Sequence, residues 1–245
     1  GDVTSFQGGL QLNVKRIRKA REGEYDPKEY LPVSEKDIDQ MYRELVGFVQ
    51  EMKNPWLKKL CSSFFLEDKQ FEKDFKFHSA AKTIHHGYVG GLLEHTLSVV
   101  KLCNYFTVAY PILHKDLLLA AAMFHDIGKL QELSVFPEND YTDAGQLLGH
   151  VVIGEEMVGE RIRTISGFPV KLANELKHCI LAHQGELEYG SPKKPAIAEA
   201  LALSLADNTD AKMQTIKEAF AAADGNNEWL GYNRLFESNI RKTST

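Results

Sequence analysis

The chain has 245 residues, a net charge of −5, 43% hydrophobic residues and 26% charged residues. This composition is typical of a soluble globular protein, and the net charge excludes binding of nucleic acid through overall positive charge, although a local basic patch remains open. A chain of this length can bury a large core without disulfides or a structural metal. A metal bound here would therefore serve function rather than folding.

Cysteines and apolar runs indicate where the protein resides. Cys61, Cys103 and Cys179 lie far apart and form no C-x-x-C pair, so we expect free buried thiols in a reducing cytosol. The longest apolar run, 117–124, is much shorter than the roughly 20 residues of a membrane span, and no signal peptide is recognisable. We therefore expect a cytoplasmic protein without a membrane partner. Because the chain begins with Gly1 rather than methionine, we also expect residues before it.

Residues 1–33 have the pattern of a strand followed by a linker. Apolar and polar residues alternate in GLQLNVKRIRKAR, with Leu10 and Leu12 on one side, which is the period of a strand. Pro27 and Pro32 then mark a linker. One or two strands cannot form an independent sheet, so we expect this segment to pack on the next domain or to be the remnant of a truncated one.

From Ser34 onward the apolar period becomes helical, so residues 34–245 are predicted to form an all-α domain. Ser34 with Asp37 resembles a capping box before the first helix, and Pro55 occupies the tolerated first position of the second. Residues 116–126 are apolar nearly all round, which marks a central buried helix. The other predicted helices are 90–110, about 149–165, 170–183, 195–223 and 230–241. We find no convincing strand after residue 34.

Two ionisable groups end the most apolar of these helices. An unpaired carboxylate at Asp126 would cost several kcal/mol if buried, and metal coordination would offset that cost. Alone, the pair His125-Asp126 fits a solvated helix end equally well. His95 lies on an apolar stripe with Leu92 and Val99, and alone it would be interpreted as a hydrogen-bonded core histidine.

Later helices carry further inward-facing candidates. His150 shares a face with apolar residues and with a glycine one turn away, which would let a neighbouring backbone approach closely. His183 lies on an apolar stripe, whereas His178 has polar neighbours, so we choose His183 as the ligand and expect His178 at the surface. Most of the residues that share a helix face with Asp207 are apolar. Asp210, one turn further on, lies on a more polar face and is predicted to be solvated.

Together these positions bring imidazoles and carboxylates inward from several helices. The candidate ligands are His95, His125, Asp126, His150, His183 and Asp207. Such a set suits manganese, iron, cobalt, nickel or zinc. If Asp126 bridges, six ligands are enough for two metals, and metals about 3.5–4 Å apart can activate a water and clamp a phosphate. We therefore predict two divalent transition metals, with manganese or iron favoured over cobalt, nickel or zinc.

The order H…HD…H…H…D on helices resembles the HD superfamily of metal-dependent phosphohydrolases. The resemblance implies a first metal held by His95, His125, Asp126 and Asp207, and a second held by Asp126, His150 and His183. It further implies that a hydroxide bridging the metals is the nucleophile and that Asp126 and Lys129 take part in catalysis. Lys129, in HDIGK, would contact the substrate phosphate; the alternative is a plain lysine at a helix end, stabilised by the helix dipole.

The text around the ligands resembles a narrower group, the YhaM-type 3′-to-5′ exoribonucleases. The segments are FHSAAKTIHHGYVGGLLEHTLSVV, FHDIGK, LLGHVVIG and AHQGELEYGSPKKPAIAEALALSLAD, and the resemblance covers roughly residues 1–235. It implies release of nucleoside 5′-monophosphates from the 3′ ends of single-stranded RNA, and perhaps of single-stranded DNA. It also implies an OB fold before an HD domain at 34–245. An OB fold needs five strands, and residues 1–33 would supply only its last strand and linker.

Several basic residues are candidate substrate contacts. Lys15, Arg16 and Arg18 agree with an edge that follows a phosphate backbone, although solvated charge on a strand and linker is the alternative. His86 precedes a helix start, where it could contact a phosphate or serve in capping or packing. Lys129 completes the predicted substrate-binding set.

Two other functions stay open from the sequence. The first is a nucleotide or cyclic-nucleotide phosphohydrolase, although Gln184-Gly185-Glu186 stands where the cyclic-dinucleotide branch has a further histidine and a Gly-Tyr-Pro element. The second is a nucleic-acid-binding module with a vestigial metal site. The sequence leaves the oligomeric state open, because apolar residues between Trp229 and Phe236 could pack on the core or on a partner.

Overall fold

The computed structural model describes the chain except residues 7–8, 19, 22–23, 26–30, 83–86, 224–227 and 245. The chain divides into two compact units, Gly1–Leu31 and Pro32–Thr245. The first unit contains β1 (Asp2–Phe6) and β2 (Gly9–Asn13). The second contains α1 (Ile38–Glu51), α2 (Pro55–Phe65), α3 (Lys69–Phe77), α4 (Gly91–Ala109), α5 (Lys115–Phe124), α6 (Lys129–Glu132), α7 (Asp143–Thr164), α8 (Val170–Ala182), α9 (Ala198–Ala221), β3 (Trp229–Asn233) and β4 (Ser238–Arg241). The predicted helical fold with a short N-terminal β segment is confirmed, while the expectation of no strand after residue 34 is wrong, because β3 and β4 follow α9.

In the first unit the predicted strand is one arm of an antiparallel hairpin. The register runs from Asp2 opposite Asn13 to Phe6 opposite Gly9. Because the pairing ends at Asn13, Val14 lies outside the strand, which is shorter than the alternating pattern indicates. The whole of β2 is exposed within this structure.

Local capping fixes where the first helices begin. The Asp37 carboxylate accepts a hydrogen bond from the Gln40 backbone N–H at 2.7 Å, so Asp37 rather than Ser34 caps α1. The Ser34 hydroxyl instead donates to Glu94 at 2.6 Å. Asn54 caps α2, with Pro55 at the first helical position as predicted.

The core of the second unit surrounds α5. Every residue of α5 from Asp116 to Phe124 is buried, as the all-round apolar sequence predicts, and α5 contacts α2, α4, α8 and α9. Phe64 of α2 packs edge-on against Phe124 with ring centroids 5.1 Å apart, a favoured aromatic geometry. The end of α5, where His125 and Asp126 follow, therefore lies in the buried core of the second unit.

The helix predicted at 230–241 is wrong. This segment is the antiparallel hairpin of β3 and β4. Gly231 lies in the left-handed region with φ +90°, a conformation that does not occur inside an α-helix. The register of the hairpin shifts between Trp229 and Gly231, as at a β-bulge. Glu237, also at positive φ, makes the turn. Across the described residues, no helix combines the length and apolar character that a membrane crossing requires.

Candidate metal centre

The six predicted ligands converge from five places in the helical unit. His95 lies on α4, His150 on α7 and Asp207 on α9, while His125 and His183 occupy the residues directly after α5 and α8. Asp126 follows His125 in the turn before α6. Two helix ends and three helix faces therefore meet at one point.

The Asp126 carboxylate lies between two groups of imidazoles. Its Oδ2 atom is 3.3 Å from His95 Nε2 and 3.5 Å from His125 Nε2. Its Oδ1 atom is 3.4 Å from His150 Nε2 and 3.8 Å from His183 Nε2. In each of these two triads the ligand atoms lie within 4.8 Å of one another, as a common metal ion requires. One carboxylate thus presents one oxygen to each group.

Asp207 extends the first of these groups. Its Oδ1 atom is 3.2 Å from His95 Nε2 and 3.9 Å from His125 Nε2. We refer to Asp126, His95, His125 and Asp207 as the Oδ2 cluster, and to Asp126, His150 and His183 as the Oδ1 cluster. Nitrogen and carboxylate oxygen donors in this combination suit a divalent transition metal in either cluster.

Backbone carbonyls orient two of the imidazoles. His125 Nδ1 lies 2.8 Å from the Ala122 carbonyl oxygen, and His183 Nδ1 lies 2.7 Å from the Ile180 carbonyl oxygen. A carbonyl only accepts hydrogen bonds, so in both rings Nδ1 carries the proton and donates it. In each ring the lone pair of Nε2 then faces Asp126. A histidine protonated on Nδ1 is the tautomer that binds a metal through Nε2.

Carboxylates orient the other two imidazoles. His95 Nδ1 lies 2.8 Å from Asp210 Oδ2, and the hydroxyl of Ser98 donates to the other Asp210 oxygen. His150 Nδ1 lies 3.0 Å from Glu132 Oε1. A carboxylate behind a ligand histidine fixes its orientation and raises its basicity.

The sequence interpretation missed both of these carboxylates. Asp210 is buried, with 8% of its surface exposed, and the prediction that it is solvated is wrong. Its polar neighbours on α9 hid the fact that His95 and Ser98 reach it from α4. The available signal was its position one turn after Asp207, which keeps it beside the same site. Glu132 belongs to the four-residue α6, which is too short for any periodic pattern.

Glycines allow the turn after Asp126 to meet α7. A Cβ on Gly128 would lie 2.0 Å from the His150 carbonyl oxygen, so only glycine fits there. Gly154 approaches Gly128 closely, as its position one turn from His150 predicts. At Gly149 the backbone leaves the helical region, with φ +73° and ψ +157°, and the His150 N–H donates to Glu132 at 2.9 Å. The start of His150's helical segment is thereby aimed at Asp126.

Charge at the site favours a bound cation. Burial acts to raise the pKa of Asp126, but Lys129 and the surrounding imidazoles hold it well below its usual range. Burial likewise acts to raise the pKa of Asp207, while the hydrogen bond with His95 and the nearby imidazoles lower it to about 2. Burial acts to lower the pKa of His95, but the surrounding carboxylates outweigh burial and raise this pKa well above its usual value. Ionised carboxylates that favour a proton on His95 would equally favour a metal cation.

The second cluster keeps a histidine in the neutral state. Burial, together with the neighbouring His125, lowers the pKa of His183 to about 4. A neutral imidazole is the form that binds metal. The residues present therefore fit a metal in both clusters.

Lys129 lies at the edge of the Oδ2 cluster. Its Nζ atom is 2.7 Å from Asp126 Oδ2, with 17% of the side chain exposed. Burial acts to lower the pKa of Lys129, but the Asp126 carboxylate raises it above its usual value. A permanent positive charge therefore stands next to the candidate metals.

The remaining predicted positions lie elsewhere or outside the described residues. His178 is half-buried rather than at the surface, and its ring nitrogen accepts a hydrogen bond from the Ala196 N–H at 2.9 Å. Lys15 and Arg18 lie in the first unit, where Lys15 pairs with Asp2 and Arg18 pairs with Glu24. Arg16 is exposed there. The predicted phosphate contact His86 lies outside the described residues.

Comparison with known proteins agrees with this geometry. Residues 92–212, which include all six candidate ligands, match the family described as HD domain. A 3′-5′ exoribonuclease YhaM from Geobacillus sp. (strain WCH70) is 35% identical over 225 residues, which cover 89% of this chain and 67% of that protein. No solved structure matches this chain significantly. The chain belongs to the HD-domain superfamily, within the group that contains YhaM, and is a metal-dependent hydrolase.

Proposed function

We propose that this member of the HD-domain superfamily is a phosphodiester hydrolase that removes nucleoside 5′-monophosphates from the 3′ ends of single-stranded RNA, with single-stranded DNA as a second substrate. The observation that carries the proposal is the Asp126 carboxylate, which presents one oxygen to each of two imidazole groups. The name of the 35% identical relative, 3′-5′ exoribonuclease YhaM, supports this choice of substrate.

The proposed cofactors are two divalent transition metals, manganese or iron in preference to cobalt, nickel or zinc. His95, His125, Asp126 and Asp207 would hold the first, and Asp126, His150 and His183 the second. When bound, such metals supply a Lewis acid for a phosphoryl oxygen and lower the pKa of a water. The chain's own contribution is to hold the Nε2 atoms toward Asp126 through the Nδ1 hydrogen bonds.

Lys129 is the proposed phosphate contact. Its ammonium group, 2.7 Å from Asp126, would offset the negative charge that develops on a phosphate during displacement. A purely structural Lys129 would only neutralise the buried Asp126. Lys129→Met separates the two roles: loss of turnover with metal content retained supports the phosphate contact, and loss of the metals contradicts it.

The first unit is the proposed nucleic-acid-binding surface. Residues 1–33 would be the last part of an OB fold, with Lys15, Arg16 and Arg18 following the backbone phosphates, and residues 34–245 would be the HD domain. His86 is retained as a proposed phosphate contact. The three buried free cysteines suit a reducing compartment, and we place the protein in the cytoplasm.

The test is an oligonucleotide assay across a metal series. A 5′-labelled single-stranded RNA, incubated with Mn²⁺, should shorten stepwise from its 3′ end, and chelation should stop the reaction. Rapid turnover of a mononucleotide or cyclic nucleotide with inert RNA would instead favour the small-molecule phosphohydrolase. Equal, negligible metal in the wild type and in a His125→Ala/Asp126→Ala double variant would leave a nucleic-acid-binding module with a vestigial site.

A further inference from the structure

A cleft opens directly beside the candidate metal centre. It lies between the loop that follows α8 and one face of α9, and its volume of about 610 Å³ is large enough for one nucleotide. Ligand sites for small molecules occupy roughly 300–1,000 Å³. His183 and Asp207 both line the cleft, so the cleft reaches one candidate ligand of each metal cluster.

The face of α9 that lines this cleft carries two exposed leucines beside polar side chains. Leu201, Ser204, Leu205 and Asn208 follow one another at helical spacing along it. Leu201 and Leu205 are 53% and 51% exposed, whereas Leu203 on the opposite stripe is buried. The two exposed leucines line the same cleft as Asp207, which indicates a surface that receives an apolar group near a charged one.

The opposite wall is a loop whose shape is fixed by its own hydrogen bonds. Gly185 at φ +81° approaches α9 so closely that a Cβ there would lie 2.5 Å from the Ser204 hydroxyl. The buried Ser191 hydroxyl lies 3.0 Å from the Leu181 carbonyl oxygen, which ties the far end of the loop to α8. Between these anchors Tyr189 lines the cleft with 68% of its surface exposed.

We propose that this cleft binds the base of the 3′-terminal nucleotide, with Tyr189 as its stacking surface and Leu201 and Leu205 as the opposing apolar wall. The inference rests on the proposed function and names the place where the released nucleotide sits. An unpaired base offers a flat apolar face whatever its identity, so stacking on an aromatic ring accepts every base. The nucleotide's phosphate would then lie toward His183 and Asp207, where the metals would bind.

The test compares two ligands that differ only in the base. Binding of adenosine 5′-monophosphate and of ribose 5-phosphate is measured by calorimetry in the presence of Mn²⁺. Since stacking on an aromatic side chain contributes about 1–3 kcal/mol per base, the wild type should bind the nucleotide roughly 5- to 150-fold more tightly. Tyr189→Ala should remove most of this preference, and Tyr189→Phe should keep it.

Tyr105→Ala is the matched control. Tyr105 is similarly exposed, at 65%, and lies ten residues after His95 on α4, about 15 Å along the helix. Its replacement should leave the preference unchanged. Equal affinity of the wild type for both ligands, or a preference that survives in Tyr189→Ala, would overturn the inference.

Two further readouts separate the alternatives. Shortening of a labelled oligonucleotide by the wild type tests the proposed function independently, so shortening without a base preference would contradict the cleft alone. A preference without shortening would support the cleft and contradict the exonuclease. If Leu205→Ser changes the molar mass in light scattering while the base preference stays, the face is an interface between copies and the inference is wrong.

Discussion

The Oδ2 and Oδ1 clusters share Asp126 but are built from different kinds of structure. The Oδ2 cluster takes its other ligands from the long helices α4 and α9 and from the buried end of α5, and its His125 side chain has no exposed surface. The Oδ1 cluster depends on the four-residue α6, on the interruption of α7 at Gly149 and on the end of α8, and its His150 side chain is 14% exposed. We infer that the core preorganises the Oδ2 cluster, while local backbone geometry and one carboxylate, Glu132, hold the Oδ1 cluster.

The largest effect is expected where the two clusters meet. Asp126→Ala removes an oxygen from each, so both metals should be lost and turnover should fall on the order of 10³-fold or more. Metal analysis and the oligonucleotide assay measure this. Asp39→Ala, a change at an aspartate whose side chain is 71% exposed, should have no effect. Full metal content in Asp126→Ala would contradict the view that both clusters depend on the Asp126 carboxylate.

Glu132→Ala tests the Oδ1 cluster alone. Glu132 accepts from both the backbone N–H and the ring of His150, and loss of such a partner costs roughly 10- to 100-fold in metal affinity or activity. One metal should be weakened and the other kept, as measured by titration of metal-free protein. Glu132→Gln keeps an acceptor and should lose less. An equal weakening of both metals would show that the clusters are not separately supported.

Asp210→Ala is the counterpart in the Oδ2 cluster. Because packing on α4 also holds His95 in place, we expect a loss near the lower end of the same range, about 10-fold in affinity for the other metal. Asp210→Asn, which keeps an acceptor for His95, should lie between this variant and the wild type. A larger loss of metal affinity than in Glu132→Ala would contradict the inference that the Oδ2 cluster is the more firmly preorganised of the two.

The smallest effect is expected from the backbone at Gly149. Gly149→Ala places a side chain at φ +73° and ψ +157°, a region that is costly for residues other than glycine, so the metal-free protein should lose about 1–3 kcal/mol of unfolding free energy. Gly47→Ala, in the interior of α1 with no atom within 4 Å of the added Cβ, should instead gain about 0.5–1 kcal/mol. Urea unfolding measures both. Equal stability of the two variants would argue against strain at Gly149.

Helical periodicity was sufficient to predict much of the centre. The apolar neighbours of His95, His183 and Asp207 predict that all three face inward. The structure brings His95 and His183 beside Asp126 and Asp207 beside His95. Periodicity failed for Asp210, because its burial is offset by partners on another helix that no local pattern contains. It failed for Glu132 because a four-residue helix has no period.

The ends of the elements were harder to predict for related reasons. The predicted helix from about 149 corresponds to the second segment of α7, whereas its first segment begins at Asp143, capped by the Thr142 hydroxyl. Trp229, Tyr232 and Leu235 have near-helical spacing, which favours a helix where the structure has the hairpin of β3 and β4. The positive φ of Gly231 distinguishes the hairpin from a helix. The pattern of apolar residues does not predict the backbone angles of a glycine.

The most direct test of the two-cluster centre is the number of metals bound per chain. Inductively coupled plasma mass spectrometry on Mn²⁺-loaded protein should find two metals in the wild type and one in a His150→Ala/His183→Ala double variant, because the Oδ2 cluster keeps its own ligands. The same number in both proteins, or no bound metal in the wild type, would contradict a centre in which Asp126 serves two metals.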